Sequence, residues 1–201
     1  MKKLAIGALA LSLFPFAANA NKLDIIPGVV DVIPASFSFP ADIAIGTSIQ
    51  LDSGLVANSF IQKIKVTYIG SEAGFWNIFW KDEEVFSNQT SIFGDMAEFV
   101  VNIPTGILPA FQFCSNQGSG NPTNCISNGD SQTAQGLRLA YAADVGPFDA
   151  VVGLGDGFGD QDYDDMVIGF NAIPEPGSLA LLGLGLMYSG YRLRKTLKPV
   201  S

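Results

Sequence analysis

Short runs rich in Val, Ile, Phe and Tyr, separated by clusters of turn-forming residues, dominate the middle of this chain. Such runs are typical of β-strands, and the Gly, Pro, Asn, Asp and Ser clusters between them are typical of turns. Residues 21–172 contain no long amphipathic helical window with capping residues. We therefore expect an all-β fold, an antiparallel, jelly-roll-like β-sandwich over residues 21–172, followed by a single hydrophobic C-terminal helix. The predicted strands are Ser36–Phe39, Thr47–Leu51, Phe60–Tyr68, Phe75–Trp80, Glu98–Ile103, Leu108–Phe113, Gly136–Ala142, Ala150–Gly153 and Asp165–Phe170.

The first twenty residues have the three parts of a secretory signal peptide. Two lysines form the positive start, residues 4–16 are apolar, and Ala18-Asn19-Ala20 has the small-x-small pattern of a cleavage site. The alternative is a permanent membrane helix, but the apolar stretch is short and ends at the cleavage site. We predict that residues 1–20 are removed and that the mature chain starts at Asn21.

Most of the charge imbalance lies in the mature β-rich part. Residues 21–172 contain 18 acidic and 5 basic side chains. Because phosphate backbones bind basic surfaces, we do not expect nucleic-acid binding. Cations, cationic partners and neutral polymers such as polysaccharides are compatible with this charge.

The chain contains no histidine. Histidine is the commonest general base at neutral pH. Its absence excludes Ser-His-Asp and Cys-His catalysis, as well as zinc or haem sites that use histidine ligands.

The two cysteines, Cys114 and Cys125, are predicted to form a disulfide. They flank ten residues, most of them polar, in a chain that is expected to reach an oxidising compartment. Two free thiols or a redox pair are the alternatives, and the long spacing fits them poorly. The intervening segment is expected to be an exposed loop pinned at its base.

Five carboxylates occur within ten residues near the end of the β-rich part, interleaved with glycines. They belong to Asp156, Asp160, Asp162, Asp164 and Asp165. Like charges at this density are unfavourable unless a cation or solvent relieves them, and calcium prefers six to eight oxygen ligands. We interpret the five as candidate calcium ligands, with a solvated acidic turn as the alternative.

The acidic cluster does not match an EF-hand. If Asp160 is position 1 of an EF-hand loop, position 6, which should be the turn glycine, is Asp165. Position 12, which should be the bidentate glutamate, is Asn171. A glycosidase would need two carboxylates across a cleft, one of them in an apolar pocket that raises its pKa. An acidic turn beside glycines lacks that pocket. We therefore assign no catalytic residue and expect a protein that is not an enzyme, with a carboxylate-based glycoside hydrolase as a further alternative.

Five aromatic residues crowd into a dozen positions: Phe75, Trp76, Phe79, Trp80 and Phe86. Exposed aromatic faces could stack on sugar rings, which would make the domain a carbohydrate-binding module. Because large aromatics dominate protein cores, we expect instead that they fill the sandwich.

The C-terminal segment has three parts in a fixed order. Pro174, Glu175 and Pro176 form an extended break. Residues 177–191 carry no charge, and Arg192, Arg194 and Lys195 follow them. This pattern predicts a transmembrane segment at 177–191 whose basic end stays in the cytoplasm. The alternative is a buried helix of the domain, against which the prolines and basic residues argue.

The segment from Pro174 onward closely resembles the PEP-CTERM sorting signal. The resemblance covers about the last thirty residues and includes the Pro-Glu-Pro motif, the apolar span and the basic end. It implies a protein exported across the inner membrane of a Gram-negative bacterium that makes exopolysaccharide. It also implies that an exosortase recognises a membrane-anchored intermediate, cuts it near the motif and releases it to the cell surface or the medium.

The body resembles a β-rich domain found in such exported proteins, whose hallmark is a Gly-Asp-x-Asp-aromatic-Asn-Asp motif before a final apolar strand. Here the motif is Gly159-Asp160-Gln161-Asp162-Tyr163-Asp164-Asp165, with Asp164 where that family usually has Asn. The segment Ala73-Gly74-Phe75-Trp76-Asn77 fits the same domain. No activity is implied by this resemblance. We expect a structural or adhesive protein of a polysaccharide-rich biofilm matrix, with the secretion machinery, the exosortase, the membrane (transiently) and polysaccharide as partners.

Overall fold

The computed structural model describes residues 23–32, 48–57, 61–103, 106–108, 111–117, 120–157, 163–173 and 184–188. Several predicted features lie outside these ranges and stay predictions. They are the signal peptide with Ala18 and Ala20, the strand Ser36–Phe39, the acidic residues Asp160 and Asp162, the triplet Pro174, Glu175 and Pro176, and the basic residues Arg192, Arg194 and Lys195.

Within the described ranges the chain forms fourteen β-strands. They are β1 (Leu23–Ile25), β2 (Val29–Val32), β3 (Ser48–Leu51), β4 (Leu55–Ala57), β5 (Ile61–Gly70), β6 (Asn77–Lys81), β7 (Glu83–Ser87), β8 (Met96–Ile103), β9 (Gly106–Ile107), β10 (Gln112–Ser115), β11 (Asn124–Ser127), β12 (Arg138–Val145), β13 (Phe148–Gly155) and β14 (Met166–Ile173).

The strands form three sheets in which every neighbouring pair is antiparallel. The large sheet has seven strands in the order β2-β3-β12-β13-β14-β5-β8. A four-stranded sheet has the order β11-β10-β6-β7, and a three-stranded sheet has the order β1-β4-β9. The predicted all-β antiparallel sandwich is confirmed.

The main core lies between the sheets and is centred on the Phe79 ring of β6. The centroid of the Phe79 ring lies 5.3 Å from that of Phe113, which belongs to β10 of the same sheet. It lies 5.6 Å from that of Phe111, which directly precedes β10. It lies 5.9 Å from the centroid of Phe170, which belongs to β14 of the large sheet. One aromatic cluster therefore joins the two larger sheets, and aromatic pairs at such distances are favourable beyond their buried area.

The central strands of the large sheet are buried on both faces. In β14, Ile168 packs in the main core, whereas Val167 belongs to a second cluster with Ile49, Val151 and Tyr163. A strand covered on both sides needs apolar residues at successive positions. This requirement explains why the central parts of the two strands, residues 150–154 of β13 and 166–170 of β14, contain no polar side chain and do not alternate.

The predicted disulfide is confirmed. Cys114 of β10 and Cys125 of β11 are bonded, and they lie directly opposite each other in the antiparallel register. In the chain-entropy treatment, a closed loop of this length stabilises the folded chain by about 2–3 kcal/mol. The bond fixes the edge of the four-stranded sheet.

The C-terminal segment is described only in part. Residues 184–188 are helical and exposed. Among the described residues, no helix has the length and apolar character needed to cross a membrane. The rest of the predicted transmembrane segment 177–191 lies outside the described ranges.

Candidate functional site

The connection between β13 and β14, residues 156–165, carries the predicted carboxylates and is called the acidic loop below. Asp156 directly follows β13, and Asp165 directly precedes β14. The backbone N–H of Asp156 donates to Oδ2 of Asp165 at 2.7 Å, and the N–H of Asp165 donates to the carbonyl of Leu154 at 3.1 Å. The two ends of the loop are therefore tied together at its base.

Asn77, the first residue of β6, connects this base to the four-stranded sheet. Its Nδ2 donates to Oδ2 of Asp156 at 2.7 Å and to the carbonyl of Asp165 at 3.3 Å. Asn77 is fully buried. Since buried amides require partners, the contact fixes how the two sheets meet at the loop. The sequence alone did not identify Asn77 as a site residue. The one indication was its position at the end of the Ala73–Asn77 segment, which fits the β-rich domain.

Three further residues hold the loop from outside. The Ser71 hydroxyl donates to the carbonyl of Asp165, and the N–H of Glu72 donates to the carbonyl of Asp164 at 3.1 Å. Nε2 of Gln117 donates to the carbonyl of Asp156 at 2.9 Å. These contacts come from the residues just after β5 and from the turn after β10, so together with Asn77 of β6 three separate chain segments converge on the loop. The sequence interpretation missed these residues as well, because they lie far from the loop along the chain.

The described carboxylates of the loop are buried. The exposed fractions are 5% for Asp156, 3% for Asp164 and 7% for Asp165. Burying charged groups is costly unless hydrogen bonds or opposite charges compensate. A fully solvated turn therefore does not describe these three residues, and their assignment as calcium ligands stays a prediction.

Tyr163 shapes the loop through its backbone. Its φ of 57° lies in the left-handed region, which is uncommon for residues other than glycine. A Cβ built on Gly153 would lie 2.2 Å from the Tyr163 carbonyl oxygen, and one built on Gly155 would lie 3.2 Å from the Tyr163 ring. The two glycines of β13 thus create the space into which Tyr163 folds.

The structure brings some of the five candidate calcium ligands together. Asp156 and Asp165 meet at the loop base, and Asp164 is also buried, whereas Asp160 and Asp162 lie outside the described residues. No group of three or more acidic or cysteine side chains in the described ranges is arranged to hold a metal ion by itself. Oδ1 of Asn77, buried within the same network, has no hydrogen-bond partner among the residues that the structure describes.

The aromatic cluster divides between core and surface. Phe79 and Phe86 are core residues, as predicted, and Trp76 is half-buried with its indole N–H donating to the Ser87 hydroxyl at 3.0 Å. Phe75 and Trp80 are exposed, so the prediction that all five fill the core is wrong for these two. For Trp80, alternation along β6 is the physical reason, because neighbouring side chains point to opposite faces of a strand, whereas Phe75 lies in the bend before β6 begins.

Burial raises the pKa of two tyrosines in this part of the fold. For Tyr68, a hydrogen bond with the Ser71 side chain lowers the pKa and offsets part of the rise that burial causes. For Tyr141 burial raises the pKa well above its usual value, against a weaker opposing contact with the backbone of Gly129. Both phenols are therefore neutral near pH 7.

A small cavity of about 20 Å³ lies in the main core. Seven apolar side chains, among them Phe79, Phe99 and Phe170, line it together with Lys81. It contains no carboxylate, and its volume corresponds to roughly one water molecule. The cavity is therefore too small and too apolar to serve as a sugar-cleaving site.

The comparisons with known proteins identify the C-terminal segment. No curated protein and no solved structure matches the chain. Residues 172–195 match the family described as the PEP-CTERM protein-sorting motif. The matched residues begin in the last part of β14 and include the predicted triplet, apolar span and basic end. The chain therefore carries a PEP-CTERM sorting motif, which supports an exported protein that passes through a membrane-anchored intermediate and is sorted by an exosortase.

Proposed function

We propose that the mature protein is a non-enzymatic structural or adhesive component of the cell surface or extracellular matrix, in a biofilm rich in exopolysaccharide, and that its acidic loop binds Ca²⁺. The sorting motif supports export and exosortase processing. The large, disulfide-closed β-domain is suited to a place outside the cell, where disulfides persist.

The calcium proposal depends on one observation. Within the described part of the chain, Oδ1 of Asn77 is buried without a hydrogen-bond partner, although Nδ2 of the same amide donates to Asp156 at 2.7 Å. A buried acceptor beside a carboxylate is unfavourable, because both groups attract positive charge and neither can donate to the other. A hard cation would satisfy both. Calcium accepts amide and carboxylate oxygens and tolerates irregular geometry.

The remaining ligands would come from the acidic loop. Asp156 and Asp165 contact Asn77, and Asp164 is buried as well. Asp160 and Asp162 remain predicted ligands from the sequence. Calcium would shield the mutual repulsion of these carboxylates. The ion would then lock the loop that joins β13 to β14 against the start of β6.

Two observations support a role without catalysis. The carboxylates of Asp156 and Asp165 accept hydrogen bonds from Asn77 and from the loop backbone, so they already serve in fixing the fold. The apolar core cavity contains no carboxylate whose pKa it could raise. A carboxylate-based glycoside hydrolase is therefore the weaker alternative. A carbohydrate-binding role is favoured by the exposed Trp80.

Calcium titration tests the proposal. We expect heat on calorimetric titration of the β-domain (residues 21–173) and a rise in its Tm. Calcium at a hundred times its Kd would add about 2.7 kcal/mol to the free energy of unfolding. For a domain of this size, that corresponds to a rise of roughly 5–10 °C. Asp156→Asn should reduce the rise strongly.

The control variant is Asp82→Asn, which removes the same charge from an exposed position. It should keep the full calcium response. Absence of both heat and stabilisation at millimolar calcium would remove the calcium site. Equal responses of the two variants would place the ion elsewhere.

Cell fractionation with mass spectrometry tests the destination. We expect the surface or secreted form to begin at Asn21 and to lack the residues after the Pro-Glu-Pro triplet. Replacing Glu175 with alanine should shift the protein toward the membrane fraction, because the triplet is the proposed recognition element. A surface form that still contains residues 179–201 would contradict processing.

A further inference from the structure

We propose that the outer face of the four-stranded sheet binds a neutral polysaccharide through a row of side chains centred on Trp80. The row, called the tryptophan row below, contains Ser127, Gln112, Trp80 and Glu84. The inference deepens the matrix role proposed above, on which the choice of ligand class rests. It does not depend on the calcium site, which lies at the other end of β6, at Asn77.

The strand register places these four residues side by side. Trp80 of β6 is the direct partner of Gln112 on β10 and of Glu84 on β7, and Gln112 is the partner of Ser127 on β11. Direct partners in an antiparallel sheet share one face. With strands about 4.8 Å apart, the row extends roughly 14 Å across the sheet. That length accommodates more than one sugar ring.

Burial shows that this face is the outer one. The neighbours Phe79, Phe113 and Ile126, one position away on β6, β10 and β11, are fully buried in the main core. Trp80 is 39% exposed, and Gln112 and Ser127 are half-buried. On β7 the bulge opposite Phe79 and Trp80 turns Val85 toward the core and leaves Glu84 exposed.

The chemistry of the row matches a sugar chain. The indole face of Trp80 can stack on the C–H face of a pyranose ring. Within the described part of the chain its N–H has no acceptor, whereas the N–H of Trp76 is already used by Ser87. Nε2 of Gln112 donates to the Ser127 hydroxyl at 3.1 Å, which fixes the amide beside the indole. The Glu84 carboxylate and the side-chain carbonyl of Gln112 can accept hydrogen bonds from sugar hydroxyls.

The negative charge of this surface favours a neutral polysaccharide over an anionic one. Glu83 and Glu84 are exposed at one end of the row, and residues 21–172 carry 18 acidic against 5 basic side chains. An anionic polysaccharide or a nucleic acid would be repelled by this surface. A neutral chain meets no such penalty, and its hydroxyls find acceptors.

Affinity electrophoresis of the full chain, in a detergent without sugar groups, tests this proposal. The probes are hydroxyethyl cellulose and laminarin as neutral polymers and alginate as the anionic one. We expect retardation by at least one neutral polymer and none by alginate. Trp80→Ala should weaken binding at least tenfold, and Gln112→Ala should weaken it less. Binding should also change the fluorescence of the wild-type chain but not that of Trp80→Phe.

The matched control is Phe75→Ala, because Phe75 is 37% exposed, close to the value for Trp80, and is not part of the row. It should retain binding. Retardation by neither neutral polymer, retardation by alginate alone, or equal binding by Trp80→Ala and wild type would overturn the proposal. The wild-type chain should bind the polymer equally in calcium and in EDTA, so a failed calcium titration and a failed polysaccharide assay are separate results. Circular dichroism of each variant confirms that the sheets are intact.

Discussion

Phe79→Ala is expected to lower the free energy of unfolding of the β-domain by about 3–5 kcal/mol. Phe79 is fully buried, and its ring lies within 6.5 Å of the rings of Phe86, Phe99, Phe111, Phe113 and Phe170. Alanine would leave a cavity next to the small one that already exists there. The loss would also weaken the contact between the four-stranded and seven-stranded sheets, because Phe170 lies on the latter.

Urea denaturation followed by circular dichroism measures this effect. Phe93→Ala is the control, because the side chain of Phe93 is 66% exposed and its truncation should change stability by no more than about 0.5 kcal/mol. A loss below about 1 kcal/mol for Phe79→Ala would show that the aromatic cluster is not the principal contact between the sheets.

Gly153→Ala is expected to cost about 3 kcal/mol, at the upper end of the range for overpacking a core. The added Cβ would lie 2.2 Å from the Tyr163 carbonyl oxygen, which belongs to the backbone and cannot move by a change of rotamer. Either β13 or the acidic loop must shift. We therefore expect the calcium response of the variant to fall together with its stability.

Gly157→Ala separates this effect from a general cost of replacing glycine in the loop. A Cβ on Gly157 would meet no atom of the described residues within 4 Å. Its thermal unfolding should therefore remain close to that of the wild type. Equal losses of stability for Gly153→Ala and Gly157→Ala would mean that Tyr163 does not depend on the space left by the missing side chain of Gly153.

The sequence predicted the strands whose apolar residues are dense and β-branched. Phe60–Tyr68 corresponds to β5, and Asp165–Phe170 to β14. β7 was missed because its sequence begins with two glutamates, and pairing with β6 overrides that weak propensity. The run Leu108–Phe113 was predicted as one strand, but β10 is displaced toward the disulfide and covers Gln112–Ser115.

The candidate site was predictable only in part. The density of aspartates pointed to the acidic loop, because like charges at close spacing demand an explanation. The role of Asn77 was not predictable, since its contact with Asp156 spans 79 positions of sequence and depends on how two sheets meet. Likewise, alternation separates Phe79 from Trp80, but only the packing of the sheets decides which of the two faces the core.

The position of β14 has a mechanical consequence. β14 ends at Ile173, directly before the Pro-Glu-Pro triplet of the sorting motif, and is hydrogen-bonded to β13 on one side and to β5 on the other. Tension applied at the C-terminal end would act along β14, perpendicular to the hydrogen bonds on both sides. These bonds would be sheared together and not opened one at a time. A protein attached at this end can therefore transmit load into its whole seven-stranded sheet.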